Sequence, residues 1–477
     1  IDILLNEEGD VANTYFQVPE LRGFEQFCVG RLAEDMPVIT NRICGVCPEA
    51  HHMASVKALD ELFDAEPPPA GKKLRELLYM AFFVTDHTTH FYALGGPDFI
   101  VGPDAPPAER NLLGVIRKVG LDIGKEVIRC RARNHHVITM LGGRGIHLAA
   151  GLPGGWSRSL SEEERKEIEG IAQENREFAL FSLKIFDDII LKNPLYRDLI
   201  TSDTYLHKTY SMGTVDRKNR VNFYDGMIRI VDTEGEELVT YHPRDYRQHI
   251  AEHVEPWTYL KFPFIKKIGW KGFVDGKESG VYSATPLSRL NVSDSMPTPQ
   301  AQEHFEKMYE TFGCRKVNAR YQPIHHRMAT HWARLIELLY AAEHMLELAA
   351  DPDITSPEVR RIPSRIKGVG IGSVEAPRGT LTHHYESDER GVLKKVNLIV
   401  GTTNNYAPMS MTIKRAAEQF IKKGKIIEDG ILNRIEMAFR LYDPCLSCAT
   451  HSLPGSMPLL VTIRDYKGNM IRTLRRD

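Results

Sequence analysis

The sequence predicts a helix-dominated α+β fold, a central bundle of long helices carrying small β-rich insertions, on three observations. Apolar residues recur with helical period along most of the 477 residues, strand-like patterning is confined to about 219–290 and the final segment, and no long linker divides the chain. The expected organisation is one domain over 1–451, with a β-rich insertion at about 219–290, followed by a C-terminal extension over 452–477.

In chain order, Leu74, Leu77, Leu78, Ala81 and Phe82 follow the i, i+3, i+4, i+7, i+8 pattern of a core helix. Further helices are expected at about 110–140, 161–193, 300–312, 410–424 and 427–442, where good helix formers crowd together with few breakers. Met328, Trp332, Leu335, Ile336, Leu339, Ala342 and Leu346 form a second long apolar stripe. Pro67-Pro68-Pro69 and the segment Pro103 to Pro107 read as loops, because proline lacks the amide donor and disfavours helix in the residue before it. Val221 to Tyr224, a turn at Asp225-Gly226, and Met227 to Val231 read as a hairpin, with Leu238 to Tyr241 as a third strand. Leu459 to Ile463, a turn at Lys467-Gly468-Asn469 and a basic end at Arg472, Arg475 and Arg476 read as a short terminal hairpin.

Composition excludes several classes. With 61 Lys+Arg against 63 Asp+Glu the formal charge is −2, which argues against a general nucleic-acid binder. At 42% hydrophobic and 26% charged residues the chain is globular rather than disordered. No apolar run is long enough for a membrane span, and Ile1 to Asp10 carry no signal-peptide pattern, so the expected location is cytoplasmic. Seven cysteines are too few for a disulfide scaffold and fit a reducing compartment.

Four of those cysteines form two Cys-x-x-Cys pairs, Cys44/Cys47 and Cys445/Cys448, near opposite ends of the chain. Four soft thiolates suit Zn²⁺, an iron-sulfur cluster or another thiophilic transition metal. A structural zinc ribbon keeps its pairs about 15–20 residues apart, whereas these are separated by almost the whole sequence, which favours a site assembled by the entire fold. Cys28, Cys130 and Cys314 read as buried apolar side chains. Gly142-Gly143-Arg144-Gly145 lacks the spacing of a dinucleotide fingerprint. His135-His136 and His383-His384 read as packing and hydrogen-bonding residues, and Lys266-Lys267 and Lys422-Lys423 as solvated faces.

The flanks sharpen the reading. Arg42-Ile43-Cys44-Gly45-Val46-Cys47-Pro48-Glu49-Ala50-His51 and Asp443-Pro444-Cys445-Leu446-Ser447-Cys448-Ala449-Thr450-His451 resemble the two metal-binding signatures of the catalytic large subunit of nickel-iron hydrogenases. The resemblance extends through Arg22-Gly23-Phe24-Glu25, Asp86-His87, Gly142-Gly143-Arg144 with His147, Glu375-Ala376-Pro377-Arg378-Gly379 and Val400-Gly401-Thr402-Thr403, covering essentially Arg22 to His451. It implies reversible oxidation of H₂ to protons and electrons at a Ni-Fe centre whose iron carries cyanide and carbonyl ligands. Cys44 and Cys445 would be terminal nickel ligands and Cys47 and Cys448 bridging ones, with Cys445 as the base that accepts a proton. Arg378 would polarise H₂ and be held by Asp86 and Asp443. Thr402 resembles the hydroxyl residue that hydrogen-bonds a cyanide, and His51 the imidazole near a bridging thiolate. Glu25, His451 and the carbonyl of Leu398 look like ligands of a Mg²⁺ or similar hard ion.

The chain departs from the family pattern at Asn404, where Trp is common, and at Gly401, where Pro is usual. The family's N-terminal Arg-x-Glu-Gly-His relay is not found in the sequence. Residues 452–477 correspond to the extension that a maturation endopeptidase removes behind the equivalent of His451, so an unprocessed, nickel-free precursor is expected. With no further cysteine set to hold iron-sulfur clusters, the resemblance implies an obligate iron-sulfur small subunit. It also implies electron-transfer subunits with flavin and iron-sulfur clusters, as in the cytoplasmic bidirectional group. The rivals are a structural zinc protein stapled by its Cys pairs, and a non-catalytic relative such as the quinone-site subunit of respiratory complex I.

Overall fold

The computed structural model describes residues 1–18, 23–106, 108–317, 320–424, 429–445 and 459–476. Its centre is a set of long helices: Pro48–Leu62, Pro69–Thr89, Leu121–Gly142, Glu162–Phe186 and Thr330–Ala350. The last packs against both Pro69–Thr89 and Glu162–Phe186 and is buried on nearly every side, its charged Arg334 and Glu337 included. Helix Glu162–Phe186 starts at a capping box in which Ser161 and Glu164 satisfy each other's amide groups.

The proline triplet does not form a loop throughout: Pro69 is the first residue of its helix, where a missing amide hydrogen costs nothing. The helix expected over 110–140 is two, Leu112–Val119 and Leu121–Gly142, parted at Gly120, whose φ of 100° no helix accepts. The stretch 161–193 ends its regular α-helix at Phe186 and continues as a π-helical turn.

The expected hairpin of Val221–Tyr224 with Met227–Val231 is not what forms. Strand Met227–Val231 pairs instead with Tyr210–Val215 on one side and Glu237–Tyr241 on the other, in a four-stranded sheet completed by Tyr282–Ser283. Two forces override the local pattern. The Asp216 carboxylate accepts the amides of Lys218 and Arg220 and turns the chain there, while Phe223 stacks on Phe83 of the helical core at 3.9 Å with rings 6° apart. Stacked aromatic burial in the core outweighs an additional edge strand.

A three-stranded antiparallel sheet, Val369–Ala376, Gly379–Ser387 and Leu393–Ile399, lies on helix Pro48–Leu62. Gly370 and Gly372 allow the approach: a Cβ at either would stand about 2 Å from the helix carbonyls of Ala58 and Ala54. The terminal hairpin, Leu459–Arg464 with Met470–Arg476, does form. It joins the N-terminal strands in one sheet, pairing in parallel with Asp2–Leu5, and the Ile1 ammonium donates to the Leu460 carbonyl at 2.9 Å. No helix among the described residues is long and apolar enough to cross a membrane.

Candidate metal centre

The short helical turn Asn41–Ile43 delivers Cys44, and Cys47 caps helix Pro48–Leu62 with Pro48 at its first position. This turn bends the chain around sulfur: the amides of Val46 and Cys47 donate to Cys44 Sγ at 3.3 and 3.0 Å. Such donors at the positive end of a helix favour a thiolate. Cys445 arrives from the other end of the chain, its Sγ 3.1 Å from Cys44 Sγ, while Cys47 Sγ lies 2.8 Å from Cys44 Sγ. All three sulfurs fall within 4.8 Å of one another.

These separations exceed the ~2.05 Å of a disulfide and suit neighbouring donors on a single thiophilic metal. The hydrogen bond to Cys44, together with burial, pushes the Cys47 thiol well above its ordinary range despite opposing contributions from Cys445 and Arg378. Three deprotonated sulfurs here therefore call for a metal's charge to compensate them. Cys448 and His451 lie outside the described residues, as do Arg22 and the rest of 446–458.

Arg378 occupies the tip of a two-residue turn, Pro377-Arg378, between strands Val369–Ala376 and Gly379–Ser387. Its guanidinium donates through Nη1 to Asp86 Oδ2 at 2.9 Å and through Nη2 lies 3.0 Å from Asp443 Oδ2. All three residues are buried. Burial works against the guanidinium's charge, but Asp443, Asp86 and the sulfurs of Cys47 and Cys445 more than offset it. Burial raises the Asp86 carboxyl above its ordinary value, with Arg378 opposing and Asp443 adding to the rise. Asp443 takes a left-handed backbone conformation, φ 54°, of the kind that Asp tolerates and that clusters at functional sites. Thr402 accepts the Cys445 amide at 3.3 Å, so its hydroxyl positions the incoming sulfur segment. His51 Nδ1 lies 3.1 Å from His383 Nε2.

Three buried residues that sequence reasoning did not single out support this turn. Arg289 donates to the carbonyls of Ala376 and Pro377, and its charge is met by Glu337 at 2.6 Å and Glu375 at 3.1 Å. Arg334 reaches the Pro377 carbonyl at 3.3 Å and Asp443 at 3.6 Å. Asn405 Nδ2 donates to the Arg378 carbonyl at 2.6 Å. The available signal was Arg334 and Glu337 inside the otherwise apolar stretch from Trp332 to Ala342, since buried charges are rare unless paired. Asn404, at the position that departs from the family pattern, accepts from the Tyr282 hydroxyl and donates to the Thr380 carbonyl.

Glu25 and Leu398 meet, but through the leucine amide, which donates to Glu25 Oε1 at 2.9 Å. Glu25 Oε2 is 3.1 Å from the Lys261 ammonium, which also lies 3.6 Å from Glu252. Glu252 Oε1 is buried without a hydrogen-bond partner among the described residues, and burial raises its carboxyl, with Glu25 adding to the rise. Two carboxylates sharing one ammonium, one with an orphaned oxygen, is a donor set that fits a hard cation.

Comparison with known proteins agrees with this geometry. A family model described as nickel-dependent hydrogenase matches residues 22–112 and 125–451. The chain is 49% identical over 475 residues to an iron-sulfur subunit of the F420-non-reducing hydrogenase of Archaeoglobus profundus, covering 100% of this chain and 96% of that one. It is 37% identical over 481 residues to the beta subunit of the NAD-reducing hydrogenase HoxS of Cupriavidus necator, covering 98% and 94% respectively. Among solved structures, an NAD⁺-reducing [NiFe]-hydrogenase in the H₂-reduced state superimposes with a TM-score of 0.84 at 33% identity, covering 94% of this chain and 95% of that one.

Proposed function

The chain belongs to the nickel-dependent hydrogenase family, and from that premise we infer how its own residues divide the work. It is the large subunit of a multisubunit hydrogenase that oxidises H₂ at a Ni-Fe centre. In our reading Cys44, Cys47, Cys445 and Cys448 would hold the Ni-Fe centre, Cys44 and Cys445 as terminal nickel ligands and Cys47 and Cys448 shared with an iron that would carry cyanide and carbonyl. The observation that carries this is the convergence of three sulfurs from opposite ends of the chain beside a buried Arg-Asp-Asp cluster.

When bound, the dinuclear group would supply the redox chemistry of H₂ oxidation. Cys445 Sγ accepts the first proton, since a thiolate is both a metal ligand and a base. Arg378 holds its charge toward the sulfurs, fixed by Asp86 and Asp443, so no reorganisation is needed as charge develops. Thr402 holds the Cys445 backbone and can offer its hydroxyl hydrogen to a cyanide. His51 would be the imidazole near a bridging sulfur. Burial of the cluster keeps water from competing for the guanidinium. Glu25, the Leu398 carbonyl and His451 would hold a Mg²⁺ or similar ion, with Glu252 and Lys261 around it.

Electrons would leave through an iron-sulfur small subunit and then flavin- and iron-sulfur-containing subunits, in the cytoplasm. This is supported by the likeness to components of F420-non-reducing and NAD-reducing enzymes. We read 1–451 as the functional domain, with its β-rich insertion at about 219–290, and 452–477 as an extension cut behind His451 by a maturation endopeptidase; the family match ends at that residue. A chain still carrying the extension would be a nickel-free precursor.

One preparation tests these assignments. The chain is co-purified with its partners and examined for intact mass, for Ni, Fe, Mg and Zn content, and for H₂-dependent viologen reduction. Nickel and iron with activity are expected only in chains ending at His451. Stoichiometric nickel on the full-mass chain would overturn the precursor reading. Zinc in place of both metals, with no activity after processing, would favour a structural staple.

A further inference from the structure

The left-handed turn at Asp443 is held from three sides. His90, just past helix Pro69–Thr89, donates through Nε2 to the Arg440 carbonyl at 3.0 Å. Arg334, on helix Thr330–Ala350, donates through Nη2 to the Leu441 carbonyl at 3.2 Å. The third anchor is the side chain of Tyr442, whose hydroxyl lies 2.7 Å from Thr412 Oγ1 on helix Tyr406–Phe420. Tyr442 and Thr412 are both buried, so bulk water does not replace a lost partner.

This third bond has a fixed direction. Arg327 Nη2 lies 3.3 Å from His207 Nδ1, and a guanidinium only donates, so Nδ1 accepts and the hydrogen of a neutral His207 is on Nε2. Burial, and then Arg327, keep His207 neutral. Its Nε2 donates to Thr412 Oγ1 at 2.8 Å and stands 3.5 Å from the Tyr442 oxygen, too far to compete. Thr412 gives its own hydrogen to the Pro408 carbonyl, one turn back on its helix, at 2.9 Å. The threonine oxygen then has two lone pairs, one taken by His207 and the other open to the Tyr442 hydrogen.

Helix Tyr406–Phe420 continues directly from the short turn Gly401–Asn405, in which Thr402 accepts the Cys445 amide at 3.3 Å. One continuous run of chain thus grips both flanks of Asp443-Pro444, at Cys445 through Thr402 and at Tyr442 through Thr412. Between the two grips Asp443 holds φ 54°, a conformation that a residue with a Cβ keeps only where its surroundings impose it. From there its Oδ2 lies 3.0 Å from Arg378 Nη2. We propose that Tyr442, acting through the turn at Asp443, is a positioning residue that aims the Arg378 guanidinium at the sulfur cluster. The consequence for H₂ oxidation rests on the reading above that Arg378 serves the metal centre.

The test separates the two. Y442F removes the hydroxyl and T412V its acceptor, while T412S keeps the oxygen as the conservative control. In crystals of the full chain, Y442F and T412V are expected to release Asp443 from its left-handed conformation and to draw its Oδ2 beyond about 3.5 Å from Arg378 Nη2. T412S should leave both as in wild type. In the metal-loaded complex, Y442F and T412V should lower kcat about 2- to 10-fold, the equivalent of one neutral hydrogen bond, at unchanged nickel and iron content and unchanged KM for H₂. They should also move the infrared bands of the iron's diatomic ligands in the same sense as R378K. The double variant should match the single ones, because each removes the same bond. An Asp443 turn and an Arg378 distance unchanged in both Y442F and T412V overturn the positioning role. A loss in T412S equal to that in T412V overturns it as well, since packing and not the hydrogen bond would then be at work. Bands and kcat unmoved by R378K itself would instead overturn the placement of Arg378 at the centre, whatever the geometry of the turn.

Discussion

Replacing Arg378 with lysine keeps the positive charge and removes the fork. The guanidinium engages Asp86 at 2.9 Å and Asp443 at 3.0 Å through different nitrogens. A lysine ammonium is a point charge on a shorter reach and can hold one of the two carboxylates at a time. The loss is one buried, charge-assisted hydrogen bond, about 1.5–3 kcal/mol, and with it the orientation of the cation toward Cys47 and Cys445. If that orientation matters only as H₂ is split, the same energy enters the barrier, and kcat falls by about 10- to 150-fold. The assay is H₂-dependent viologen reduction by the co-purified complex, normalised to nickel and iron content measured on the same sample. R378K retaining kcat within a factor of two at full metal content would refute the reasoning, because neither bidentate geometry nor charge placement would then be needed.

Other predictions concern the support around the site. R289M leaves Glu337 and Glu375 as buried carboxylates without their guanidinium partner and should cost about 3–5 kcal/mol of stability, read as a lowered denaturation midpoint of the metal-free chain. C445S should abolish nickel retention while leaving circular dichroism unchanged, since a hydroxyl does not replace a soft thiolate. His344 is partly exposed; burial opposes its charge, but Glu347 and Glu76 prevail and raise its pKa to about 9 from 6.5. A raised value stabilises the protonated fold, so this contribution, at most about 3 kcal/mol, is fully present below pH 6.5 and is lost as pH rises through 9. H344Q should flatten the stability profile over that window, and an unchanged profile would contradict the assignment.

The cysteine pairs and the Ala-Pro-Arg-Gly motif were legible because their chemistry is written in local residue order, and the long helices because their apolar stripes are periodic. Strand Tyr210–Val215 was not, since all six of its residues are buried and its sequence shows no alternation. Val221–Tyr224 misled because its β-forming residues serve the helical core through Phe223. Arg289, Arg334 and Asn405 were missed for a common reason: each acts across the fold on groups remote in sequence, and residue type alone cannot say which buried polar group has partners.

Cys44 and Cys445 are 401 residues apart, and that distance has a temporal meaning. At ribosomal speeds of about 5–20 residues per second, Cys44 and Cys47 emerge some 20–80 seconds before the other half of their cage is synthesised. During that interval the nascent chain offers a bare dithiol to any adventitious metal or oxidant. Faithful assembly must therefore rely on guarding the early pair until translation is nearly complete, and a slower ribosome would lengthen its exposure in direct proportion.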